Sequence, residues 1–142
     1  MREPVPVVDL ASPGAPEALD DACRRVGFFQ LAGHGVGDDV VGAMLDAAGR
    51  FFTSPVALKE ATRPPSPRVN RGWSPVGAES LTYSLGVESP PDLFEAFNIG
   101  HEVDEPDGGF FAANPWPALP GFREAFVAYF DAAAGVARSV VG

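Results

Sequence analysis

Two histidines, His34 and His101, are the only imidazoles in this 142-residue chain, and a run of carboxylates surrounds the second of them. His101, Glu102, Asp104, Glu105 and Asp107 are the residues with types suited to a metal. A facial metal triad needs two imidazoles and one carboxylate converging on one ion, with open positions left over. The usual local pair is His-x-Asp, and here the residue two after His101 is Val103. His34 is followed by Gly35 and Val36, so it offers no local carboxylate either. The spacing therefore predicts a turn histidine and a solvated acidic loop, able at most to attract hard divalent ions weakly. No metal site is assigned.

Three further patterns fail on chemistry. Gly33-His34-Gly35-Val36-Gly37-Asp38 lacks the third glycine of a dinucleotide loop, and Asp38 and Asp39 would repel a pyrophosphate. In Gly72-Trp73-Ser74-Pro75-Val76-Gly77 the residue after the serine is a proline, which has no N–H for an oxyanion hole. Cys23 falls beside Leu19 and Val26 in a helical pattern and is expected to be a small core residue. No catalytic residue emerges.

The elements that would position these residues follow from periodicity. Val5 to Leu10 reads as a strand, and Pro16 opens a helix in which Ala18, Leu19, Ala22, Cys23 and Val26 share one face. Gly27 stops that helix, and Phe28 to Ala32 forms a second strand, which completes a βαβ pattern. Asp38 or Asp39 then caps a helix that points Val40, Val41, Met44, Leu45, Ala48, Phe51 and Phe52 inward. After a short helix over Val56 to Ala61 comes a proline- and glycine-rich loop, 63–91, with six prolines. Unstructured stretches of that length in compact domains are usually functional or mobile. Asp92 to Ile99 is expected to end as a strand, and Asn114 to Gly121 to run extended. From Phe122 an amphipathic helix carries Phe126, Tyr129, Phe130, Ala133, Val136, Ala137, Val140 and Val141 on one wide stripe. With no following element to cover its second half, the helix over 121–142 reads as cut short.

Composition bounds the partners. Ten basic against 19 acidic residues give a net charge of −9, and Lys59 is the one lysine. A basic stripe for phosphates is missing, so the chain is expected to bind neither nucleic acid nor an anionic membrane. One cysteine excludes an intramolecular disulfide and fits a reducing, cytoplasmic setting. No stretch reaches the roughly 20 apolar residues of a membrane span.

The order of motifs carries more than any one of them. VPVVDL, RRVGFFQLAGHGV, RFFTSPVALKEA, NRGWSPVGAES, DLFEAFNIG and NPWPALPGFREAFVAYFDA together resemble the N-terminal region of the isopenicillin N synthase-like family. Members of that family are 2-oxoglutarate- and iron(II)-dependent dioxygenases, and the resemblance runs from Val5 to about Val141. It implies an α/β (α+β) portion, helical and βαβ, that normally packs on a double-stranded β-helix (jelly roll). It also implies that the jelly roll, with His-x-Asp, a distant His and Arg-x-Ser, is absent from 1–142. The expected chain is therefore a non-haem dioxygenase N-terminal domain without a catalytic core, inactive by itself and binding neither Fe(II) nor 2-oxoglutarate. The parent enzyme would oxidise a small molecule, as in secondary-metabolite or antibiotic biosynthesis. Arg71 and Trp73 of NRGWSP are the candidates for touching that substrate. Arginine pairs bidentately with carboxylates, and tryptophan supplies a flat apolar wall. The expected partner is the missing jelly roll, or another chain held by the terminal helix stripe. A stand-alone partner-binding domain and a gene remnant are the competing readings.

Overall fold

The computed structural model describes residues 4–66, 68–78, 90–103 and 112–141. They form β1 (Val7–Asp9), α1 (Ala15–Arg25), β2 (Gln30–Ala32), α2 (Asp38–Phe52) and α3 (Val56–Glu60), then β3 (Gly72–Ser74), β4 (Ala96–Asn98) and α4 (Phe122–Val141). The elements belong to two compact units, Met1–Gly42 with Ala128–Gly142, and Ala43–Val127. The class is mixed α and β as expected. Among the described residues the strands form two separate two-stranded pairs, and neither is a jelly roll.

In the first unit β1 and β2 pair in parallel, Val7 with Gln30, Val8 with Leu31 and Asp9 with Ala32. A parallel pair needs a crossover, and α1 supplies it. Pro16 stands in the first turn of α1, Glu17 complements the N-terminal end of the dipole, and Arg24 and Arg25 complement the other. Gly27 ends the helix at φ 79° and donates its N–H to the Ala22 carbonyl. Cys23 is exposed, which corrects the core placement expected for it. The covered stripe is narrow, running through buried Ala15 and Ala22 with half-buried Leu19 and Val26. Cys23 sits one residue, about 100°, beyond its centre. The second strand also begins later than expected, at Gln30, and Phe28 stays 73% exposed.

The second unit is built on aromatic packing. Ala47, Phe51, Trp73, Phe122 and Phe126 form its buried core. Phe51 meets Phe97 edge-on at 4.8 Å between centroids, and Phe122 stacks on Phe126 at 4.2 Å. Such pairs add about 0.5–1.5 kcal/mol each beyond the area they bury. Within α2, Met44, Ala47, Ala48 and Phe51 carry the contact, whereas Leu45 is 59% exposed and does not point inward as expected. Leu45 lies on the edge of that stripe, where one helical step turns a side chain to water. Trp116 and Leu119 bring the extended proline-rich segment onto the same core. Arg50 ties α2 to that segment through a hydrogen bond to the Pro120 carbonyl at 3.1 Å.

β3 and β4 pair antiparallel, with Gly72 opposite Asn98, Trp73 opposite Phe97 and Ser74 opposite Ala96. The alternation of a strand turns Trp73 and Phe97 together toward the core. At φ 84° Gly72 occupies a conformation that L side chains resist, and a Cβ there would overlap the Thr62 carbonyl and Pro115. The ribbon enters close against the turn after α3, and only glycine fits that approach.

Candidate functional site

Trp73 is the hub of the second unit's polar cluster. Its backbone N–H donates to the Thr62 carbonyl at 2.9 Å, and its indole N–H donates to Glu95 Oε2 at 2.7 Å. The ring is also met by two cations, Lys59 Nζ at 5.3 Å and Arg63 Cζ at 4.9 Å from its centroid. Glu95 accepts from Lys59 Nζ at 2.8 and 3.1 Å, and Lys59 reaches the Phe52 carbonyl at 3.2 Å. The chain's one lysine is therefore a buried, multiply bonded group. The Lys59 hydrogen bond holds the Glu95 carboxyl below the usual carboxylate range against burial, and the Trp73 N–H and the Lys59 charge add to it. Arg63 is secured in turn by Glu60 at 2.8 Å, and that hydrogen bond lowers the pKa of Glu60 and raises that of Arg63.

Trp73 is only 4% exposed, and its N–H and ring are already engaged. Arg71, two residues earlier, is half-buried, and its Nη1 donates to the Asn70 carbonyl at 2.7 Å. The two candidate substrate contacts thus lie on one strand approach, with Trp73 in the core and Arg71 nearer the surface.

Beside Arg71 a second network forms. Asn114 is buried and brackets Gly100, accepting its N–H at 2.9 Å and donating to its carbonyl at 2.9 Å. It also donates to Glu102 at 2.7 Å, and Glu102 accepts from Arg123 at the start of α4. Burial pushes the Glu102 carboxyl upward, but hydrogen bonds from Asn114 and Arg123, the Arg123 charge and a Trp116 hydrogen bond outweigh it and leave it lowered. Lys59, Glu95 and Asn114 were not singled out from the sequence. Lys59 had one available signal, being the sole lysine of the chain.

The metal-type side chains among the described residues do not assemble. Among the described residues no group of three or more His, Cys, Asp and Glu could hold a metal ion. His34 belongs to the first unit and His101 to the second. Asp104, Glu105 and Asp107 lie outside the described residues, as do 79–89 of the proline-rich loop. The described donor set therefore does not fit a two-histidine, one-carboxylate iron site. His34 Nδ1 instead accepts the Val36 N–H at 3.1 Å, a local turn closure. In the same unit His34, Val36, Val41, Tyr129, Ala133 and Val136 line a shallow pocket of about 200 Å³. The second half of the terminal stripe thus faces partly into this pocket, with Val141 84% exposed at its end. No described helix is long and apolar enough to cross a membrane.

The family model described as non-haem dioxygenase in morphine synthesis, N-terminal, matches residues 5–119. Validamycin A dioxygenase of Streptomyces hygroscopicus subsp. limoneus is 36% identical over 155 aligned positions, covering 99% of this chain and 42% of that protein. The 2-oxoglutarate-dependent dioxygenase citB of Monascus ruber is 34% identical, over 90% of this chain and 43% of its own length. Among solved structures, a full-length Neurospora crassa protein in complex with alpha-KG superposes with a TM-score of 0.75 at 26% identity. That match covers 96% of this chain and 46% of the Neurospora crassa chain. The chain spans less than half the length of these relatives.

Proposed function

The chain belongs to the non-haem dioxygenase N-terminal family, and from that premise we propose that it forms the N-terminal domain of an enzyme that oxidises a small molecule with 2-oxoglutarate and iron(II). The observation that carries this reading is the chain-long match to a 2-oxoglutarate-dependent type of enzyme in both sequence and backbone. The iron and 2-oxoglutarate are held by a catalytic core outside residues 1–142.

The role of this domain is to brace that core and to border its substrate. Arg71 is the side chain proposed to touch substrate, because it is half-buried where Trp73 is in the core, and a guanidinium suits a carboxylate or other anion. Trp73, buried in the core, holds the strand that Arg71 leads into. The substrate class is a small secondary metabolite, with antibiotic biosynthesis as the setting and validamycin A as the first compound to assay.

Titration of the purified chain with iron(II) and 2-oxoglutarate, first without oxygen to read the charge-transfer band and then with oxygen admitted to read succinate, tests the division of labour. The expected result is no visible charge-transfer band and no succinate from residues 1–142 alone, and both on reconstitution with a catalytic core. A stoichiometric band from the chain alone, abolished by His34→Ala and His101→Ala, would overturn it.

A further inference from the structure

We propose that Gly100 is the seat of the Arg71 guanidinium and that Asn114 holds the seat in place, which makes both of them positioning residues for the contact assigned to Arg71. The inference rests on that reading of Arg71 for its purpose, and on the geometry for its substance.

A Cβ built at Gly100 would overlap Nε, Cζ and Nη2 of Arg71 together, so the guanidinium lies against the glycine Cα. Its flat faces are weakly hydrated and stack readily, while its N–H groups stay in the plane. Asn114 takes both polar groups of Gly100, accepting from its N–H and donating to its carbonyl. Neither group of the seat therefore needs a hydrogen bond from Arg71. The same amide is fastened through Glu102 to Arg123, so the seat is anchored to the first turn of α4. Just before β3, Arg71 is steadied by the Asn70 carbonyl. An unrestrained arginine side chain is rotamer-rich, and seating it removes that freedom before an anion arrives.

The reporter is the Nε–H of Arg71 in an isotope-edited NMR spectrum of this chain. Gly100→Ala puts a methyl group where the guanidinium lies, and solvent exchange at Nε–H is expected to accelerate about tenfold or more. Helical circular dichroism and a cooperative melt are expected to persist. Asn114→Ala leaves Gly100 intact and is expected to accelerate exchange by a smaller factor. Wild-type exchange in a folded Gly100→Ala chain would overturn the seat. Should that variant not fold, wild-type exchange in Asn114→Ala overturns it. The functional half is read after reconstitution with a catalytic core, using validamycin A. Arg71→Lys and Gly100→Ala are both expected to raise substrate KM while kcat and the KM for 2-oxoglutarate hold. An unmoved KM for Arg71→Lys, with accelerated exchange in Gly100→Ala, discards the substrate contact and keeps the seat. A raised KM for Arg71→Lys, with unmoved exchange in Gly100→Ala, discards the seat and keeps the contact.

Discussion

The indole N–H of Trp73 and the carboxylate of Glu95 meet at 2.7 Å across 22 residues of sequence, and the same carboxylate neutralises Lys59. One anion therefore joins α3, β3 and the approach to β4. Lys59 is 9% exposed at its side chain and Glu95 24%, so water screens this ion pair poorly.

Removing the carboxylate should be costly. Glu95→Ala leaves a buried ammonium with one carbonyl partner, and a loss of about 2–4 kcal/mol is expected from breaking a buried pair on one side. Urea denaturation followed by circular dichroism checks it. A loss under about 0.5 kcal/mol, the range of ordinary surface changes, would show that the cluster is not a clamp.

The same pair sets an acid limb. The folded pKa of Glu95 lies below its reference of 4.5, so its contribution is fully present above that reference. It is lost as pH falls from there through the folded pKa. Melting temperatures measured from neutral pH down through the carboxylate range should fall, and Glu95→Gln should flatten part of that fall. An acid limb of unchanged steepness in Glu95→Gln would contradict the assignment.

Gly72 has no substitute. Gly72→Ala adds a Cβ into the Thr62 carbonyl at a φ of 84°, and about 2–4 kcal/mol of destabilisation is expected from strain and clash combined. By contrast, among the described residues a Cβ at Gly77, φ 82°, would meet Pro91 atoms at 3.7 and 3.9 Å, so Gly77→Ala should cost about 1 kcal/mol. Equal losses at the two positions would remove the carbonyl clash from the explanation.

Two exposed side chains give simple surface tests. Cys23 should react stoichiometrically with a thiol reagent in the folded protein, and protection until unfolding would place it back in a core. Leu93 is 88% exposed, with Phe94 at 48% and Val76 at 58% nearby along the ribbon. Leu93→Ser should lower binding of a hydrophobic dye while leaving stability within about 0.5 kcal/mol. A marked loss of stability would show that Leu93 packs.

Local chemistry fixed a good part of this protein. The 3.6-residue period marked out α2 and α4 nearly to their ends, Gly27 marked the stop of α1, and the βαβ pattern foretold the parallel pairing of β1 with β2. The ordered motifs pointed to the family because each is a short-range feature, legible without knowing what packs on it. Tertiary structure decided the rest. Periodicity gives the direction of a helix's apolar face but not its covered width, so Cys23 and Leu45 were placed inside although both are exposed. Nor does a local pattern show which distant charge a lysine will meet. Lys59 and Glu95 are 36 residues apart, and their pairing exists only because β4 is laid beside β3. Gly100 and Asn114, 14 residues apart, meet for the same kind of reason. Trp73 looked from the sequence like a wall for a substrate, yet folding turned its ring into the core and spent its N–H on Glu95, since the register that sets it opposite Phe97 puts both rings on the face the core covers.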